Sequence, residues 1–135
     1  MLSINLTGPL VCAQAAAVAM AEQGGGVIIN IASLSAYRVA APGLSQYVAS
    51  KAGLVGLTKA LAVELGAKGI RVVGVAPCRV LAAPAPAPAP LGRNAVPDDI
   101  ARVVAYLATD AAAFVSGITV PVDGGELAGL TPTEL

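Results

Sequence analysis

Tyr47 and Lys51 stand four residues apart in SQYVASKAGLVGLTKALAVEL. On a helix that spacing projects both side chains from one face, a turn apart. An ammonium beside a phenol favours the phenolate, which would make Tyr47 a usable general acid or base near neutral pH. Taken alone, the pair also describes a surface tyrosine beside a solvated lysine. Ser33 lies 14 residues before Tyr47, just after the apolar run VIINIA. A hydroxyl at the carboxyl end of a buried strand can hydrogen-bond a carbonyl oxygen, and ligands of open α/β sheets bind in the crevice at those ends.

The composition excludes several other chemistries. Histidine is absent from the 135 residues, which removes every histidine-dependent triad and histidine metal site. Two cysteines, Cys12 and Cys78, build neither a disulfide framework nor a four-ligand zinc site, so no metal is expected. Their sparse use fits a reducing cytoplasm. Eight basic residues balance eight acidic ones. No basic field is present to hold nucleic acid or an anionic membrane. No unbroken apolar run of about 18 residues occurs, so no spanning helix is expected. The start, MLSINLTGPLVCAQAAAVAMA, lacks a positive segment and is interrupted by Gln14. It reads as a buried alanine-rich helix rather than a secretory signal.

The elements that would position these residues alternate. A helix is expected over Asn5–Glu22, firm from Pro9 and ended by Gly24-Gly25-Gly26. Val27–Ala32 reads as a strand covered on both faces, and Ser33–Leu44 as a loop turning at Pro42-Gly43. Ser45 reads as the N-cap of a long helix reaching Leu65, and Ile70–Ala76 is a second buried strand stopped by Pro77. APAPAPAP, Ala83 to Pro90, reads as a spacer or stiff loop in polyproline II conformation. Pro97 opens a third helix with Ile100, Val103, Val104 and Leu107 as one buried stripe, and Ile118–Val122 is a last strand. This order predicts an α/β layer with three parallel strands, flanking helices and right-handed crossovers. Residues 1–126 form one domain in this reading, followed by a tail over 127–135.

NIASLSAYRVAAPGLSQYVASKAGLVGLTKALAVEL resembles the catalytic segment of short-chain dehydrogenases/reductases. INLTG at Ile4–Gly8, IRVVGVAP, and GRNAVPDDIARVVAYLATDAAAFVSGITVPVDGG at Gly92–Gly125 are similar, in order, to further stretches of that family. The resemblance covers nearly the whole chain. It implies a partial Rossmann-like three-layer fold and an oxidoreductase moving hydride between NAD or NADP and an alcohol or carbonyl substrate. It implies Tyr47 as the proton carrier and Lys51 as the group that activates Tyr47 and binds the nicotinamide ribose. It gives Ser33 the substrate oxygen and Asn5 a water-linked proton path to the lysine. Ser35 is a reserve for the serine, because the Ser33–Tyr47 loop is one residue longer than the commonest pattern. Pro77, Cys78 and Val80 fall at the family's nicotinamide contacts.

Departures from the pattern set further expectations. No strand, glycine-rich turn and helix precede Asn5, and Gly24-Gly25-Gly26 runs from helix to strand, the reverse of a phosphate cradle. The chain thus reads as the second half of the family fold, poor in dinucleotide binding alone, either a truncated oxidoreductase or a non-catalytic dimerisation module or gene fragment. Cys78 replaces the family's glycine, as a packed side chain or a reactive thiol. Ala82 stands where a cofactor-binding threonine is common, and the lid from Arg79 to Leu91 is short. VIINIA would normally pair with a strand that the chain does not contain, leaving an open edge. Ala49, Gly53, Gly56 and Ala60 form a small-residue stripe on a helix apolar all round, which reads as buried on more than one side. In the resembling family this helix and the preceding one pair between subunits. That implies a homo-oligomer through residues 9–22 and 45–65.

Overall fold

A computed structural model describes residues 1–87 and 89–129. Three strands, β1 (Gly26–Ile31), β2 (Ile70–Pro77) and β3 (Thr119–Val122), form a parallel sheet in the order β1-β2-β3. Three helices connect and flank them: α1 (Gly8–Glu22), α2 (Ser45–Leu65) and α3 (Pro97–Ala108).

Alternation along β2 divides the core in two. Ile70 and Val72 face Ala13, Ala17, Leu61 and Leu65 of α1 and α2. Val73 and Val75 point the other way, onto Leu107, Ala112 and the partly buried Ile100, Val103 and Val104. The period of two along a strand thereby produces a three-layer arrangement, with α1 and α2 on one face and α3 on the other. The stripe read from the sequence of α3 is the one that packs.

Both β1 and β2 start beside close glycine backbones. A Cβ on Gly25 would lie 2.6 Å from the Gly69 carbonyl oxygen, and both residues have positive φ, 144° and 71°. Only glycine fits that approach. Register then runs from Gly26↔Ile70 to Ile31↔Val75, and the Ala32 N–H donates to the Val75 carbonyl at 2.7 Å, so the ladder runs on to the brink of Ser33. A buried polar pair fastens α2 over β1. Asn30 Nδ2 donates to Thr58 Oγ1 at 3.0 Å, and Thr58 Oγ1 donates to the Leu54 carbonyl at 2.9 Å.

Several expectations are corrected. The helix before β1 is not buried: only Ala13 and Ala17 are, while Val11 and Val18 face outward. A run of alanines marks no face by hydropathy, so one narrow stripe suffices to hold it. The helical stretch Ser3–Glu22 also meets the length and apolarity of a membrane span, with mean hydropathy 1.4 and 11% of that window buried. α2 likewise covers one face only. Leu54, Thr58, Leu61 and Leu65 are buried, whereas Ala49, Ala52, Gly56, Ala60 and Val63 are exposed. Gly53 leaves the small-residue stripe, because its missing Cβ makes room for Leu6, whose Cδ2 would lie 2.9 Å away.

Of the two readings of the proline-alanine stretch, the loop holds and the spacer does not. Asn94 Oδ1 accepts the Ala85 N–H at 2.5 Å, the Ala87 N–H donates to Gly92, and the Leu91 N–H donates to Gly124. The segment folds back on the sheet and buries Ala89. At the other end, a short 3₁₀ turn spans Glu126–Ala128. Residues 130–135 of the expected tail lie outside the described residues. The outer edge of β1 pairs with no strand among the described residues.

Candidate active site

The carboxyl ends of β1 and β2 open onto a cavity of about 510 Å³. Ser33, Ser35 and Tyr47 line it from one side, Pro77, Cys78 and Arg79 from the β2 side, and Ala87, Ala89 and Asn94 from the proline loop.

Ser33 sits in extended backbone and caps the 3₁₀ turn Leu34–Ala36, where its Oγ accepts the Ser35 N–H at 3.1 Å. With that acceptor position used, the hydroxyl proton is left for another acceptor. Tyr47, in the first turn of α2, is half-buried. Lys51 follows one turn later. Its Nζ lies 5.8 Å from the centroid of the Tyr47 ring and donates to the Ile31 carbonyl at 2.7 Å. Two ammonium protons remain uncommitted by that bond.

Asn5 reaches α2 by a different route. The chain from Ser3 to Thr7 is a π-helical turn, closed by the Gly8 N–H onto the Ser3 carbonyl. Such widened turns are rare and concentrate at functional sites. Asn5 Nδ2 donates to Ser50 Oγ at 3.2 Å, and Ser50 Oγ donates to the Tyr47 carbonyl at 2.7 Å. Fully buried Ser50 was not singled out from the sequence; it resembles any small helix residue until the fold places Asn5 against it.

The structure therefore brings Ser33, Ser35, Tyr47, Pro77 and Cys78 to one cavity, with Lys51 beside Tyr47 but outside the lining. Asn5 and Val80 are not among the residues lining it. Val80 bridges to Ala95 and supports the loop instead. Arg38, Arg79, Asn94 and Glu126 also line the cavity without having been singled out as site residues. Glu126 pairs with Arg38 across 88 positions of sequence, a proximity that no local pattern announces.

Nicotinamide fits the reacting end of this site in one respect and not in another. Pro77 and Cys78 present β2's carboxyl end to the same cavity as Tyr47, which suits a flat ring laid against the wall. A pyrophosphate cradle is not found: among the described residues, no strand ends in a glycine-rich turn leading into a full helix.

Known proteins resemble the chain over most of its length. A family model described as enoyl-(acyl carrier protein) reductase matches residues 1–126. D-threitol dehydrogenase of Mycolicibacterium smegmatis is 42% identical over 136 residues, covering 92% of this chain and 52% of that protein. Among solved structures, acetoin dehydrogenase YohF of Salmonella typhimurium superposes with a TM-score of 0.87 at 36% identity, over 98% of this chain and 56% of that one. A protein of Beutenbergia cavernae described as an NAD(P)-dependent gluconate 5-dehydrogenase, with NADP bound at low occupancy, gives a TM-score of 0.86 at 34% identity, over 95% and 56%.

A parallel sheet with this crevice defines an open α/β protein of Rossmann type. The chain belongs to the short-chain dehydrogenase/reductase family. It spans about half the length of the curated relatives it matches.

Proposed function

We propose that this chain carries the substrate and proton-transfer half of an NAD(P)-dependent oxidoreductase acting on an alcohol or carbonyl. The observation that carries this reading is the shared cavity wall of Ser33 and Tyr47, with Lys51 anchored beside it at the end of β1.

The dinucleotide, when bound, supplies or accepts the hydride. The chain's own residues handle the oxygen. Ser33 donates its free proton to the carbonyl oxygen and holds it toward Tyr47. In reduction the Tyr47 hydroxyl protonates that oxygen; in oxidation the phenolate takes the proton from the alcohol. Lys51 stabilises the phenolate and keeps two donors for the ribose. Asn5 and Ser50 hold the first turn of α2 in place. Pro77 and Cys78 form the wall for the ring, and Val80 supports them from outside the cavity.

A fusion that adds the amino-terminal half of a relative tests this directly. NADH or NADPH should then be consumed with a small carbonyl compound, while the 135-residue chain alone gives weak nicotinamide fluorescence changes. Ser33→Ala should lower turnover in the fusion and Ser35→Ala should leave it near the parent. A fusion that binds cofactor yet turns over no carbonyl or alcohol would favour a non-catalytic module. That second reading draws on the cradle not being found among the described residues.

Self-association is part of the proposal. α1 and α2 expose Val11, Val18, Gly56, Ala60 and Val63, with Val63 at 85% exposure, and an apolar helix face of this kind suits a second copy. The single domain over 1–126 and a cytoplasmic site, which the unpaired Cys12 and Cys78 suit, complete the reading.

A further inference from the structure

The cavity that holds Ser33 and Tyr47 carries a charge pattern that proton transfer does not use. Two arginines line it, Arg38 and Arg79, and one carboxylate, Glu126. Glu126 is committed to Arg38. Among the described residues no carboxylate forms an ion pair with Arg79. Leu34, Leu81 and Ala87 make the neighbouring wall apolar.

We propose that the substrate carries a carboxylate bound by Arg79, on the same small aliphatic molecule whose carbonyl or hydroxyl meets Ser33 and Tyr47: a short-chain oxo or hydroxy acid. The reacting end of this assignment rests on the oxidoreductase reading; the anion-binding end does not.

Topology places the two ends at a suitable separation. Ser33 follows β1 and Arg79 follows β2, and these strands are neighbours paired through Ile31 and Val75. Adjacent strands lie about 4.8 Å apart, and Ser33 and Arg79 line one cavity from adjoining strand ends. Arginine suits the task because its planar fork matches both carboxylate oxygens. Arg38 does not compete, being neutralised by Glu126. The proline loop closes the far side with Ala87 and buried Ala89, and Asn94 pins that loop through Ala83 and Ala85. A volume of about 510 Å³ so bounded admits a compact aliphatic acid.

A phosphate of the dinucleotide offers the same anionic chemistry. The substrate is favoured because Arg79 lines the same cavity as the two hydroxyls that meet the reacting oxygen.

The test reads binding without turnover, by amide NMR of the 135-residue chain titrated with 4-oxopentanoate, 2-pentanone and inorganic pyrophosphate. The oxo acid should shift the amides of Ser33, Ser35, Arg79 and Leu81 saturably, and bind about tenfold or more tightly than the neutral ketone, as a charge-assisted hydrogen bond allows. Arg79→Gln should erase that preference and Arg79→Lys should keep part of it. Arg79 is exposed, so dispersed spectra are expected from both variants. Equal binding of acid and ketone, or a preference that survives Arg79→Gln, would overturn the proposal. Stronger shifts of the same amides by pyrophosphate would overturn it too, by giving Arg79 to the cofactor. An inactive fusion with an Arg79-dependent preference would reject the oxidoreductase reading and keep the anion site.

Discussion

Lys51 Nζ donates to the carbonyl of Ile31 at 2.7 Å, which ties the second turn of α2 to the last residue of β1. Ser33 begins two residues later, so one bond couples the element that carries Tyr47 to the segment that carries the serine. The helix face holding Tyr47 and Lys51 is thereby fixed against the strand end where a substrate oxygen would lie.

That coupling makes Lys51→Met informative. The variant keeps much of the side chain's length but loses the anchor and the charge. In the fusion, cofactor affinity and turnover should both fall, whereas a purely structural lysine would change stability alone. Steady-state kinetics with a parallel thermal melt separates the two.

The Asn30–Thr58 pair is the deeper fastening of α2 to β1, and both residues are buried. Thr58→Val keeps the shape and leaves Asn30 Nδ2 without its acceptor. A buried donor left unpaired costs about 1–3 kcal/mol. Urea unfolding should show a loss of that size, and adding Asn30→Leu should recover part of it. Additive losses from the two changes would mean that they are not coupled.

Gly53 and Gly56 separate folding from association. Gly53→Leu drives a side chain into Leu6 and should destabilise the chain by about 1–3 kcal/mol. A Cβ at Gly56 meets open space. Gly56→Leu should therefore leave the fold intact while weakening self-association in sedimentation. A dimer indifferent to Gly56→Leu would place the interface elsewhere.

Asp99 sets an acid limit on α3. Arg93 donates to both of its carboxylate oxygens, at 2.7 and 2.9 Å, and the Val96 N–H adds a third bond at 2.8 Å. The Arg93 hydrogen bonds, followed by the Val96 N–H, hold the Asp99 carboxyl well below the usual carboxylate range. A carboxylate so depressed stabilises the fold above its unfolded value of about 3.9 and loses that contribution as pH falls toward the folded value. Asp99→Asn should lower Tm at pH 7, and the gap from the parent should narrow below about pH 4. A gap independent of pH would show that the charge is not the cause.

Much of this architecture is legible in the residues. α2 ends at Leu65 and α3 starts at Pro97 as their patterns predict, because glycine and proline leave few alternatives at those ends, whereas Leu44 and not Ser45 is the N-cap of α2. β1 and β2 are readable from β-branched runs, with β1 shifted by one residue at both ends and β2 extended by one residue into Pro77. The faces of α1 and α2 are less legible, since alanine and glycine carry no contrast in hydropathy. The proline loop misleads for another reason. Alternating proline predicts a spacer or a stiff loop without choosing between them, and Asn94, 9 residues beyond Ala85, helps fold it into a wall. The pairing of Arg38 with Glu126 and the position of Arg79 across from Ser33 exist only once the sheet brings the strand ends together.

Whether Tyr47 moves the proton is decided by Tyr47→Phe in the cofactor-competent fusion. The substitution removes one hydroxyl and keeps the ring. General acid catalysis is worth about 10²–10⁴-fold. A fall of that order is expected in kcat, with NADH or NADPH affinity nearly unchanged. Near-parent kcat in the Tyr47→Phe fusion would contradict the assignment and leave the family likeness as one of fold alone.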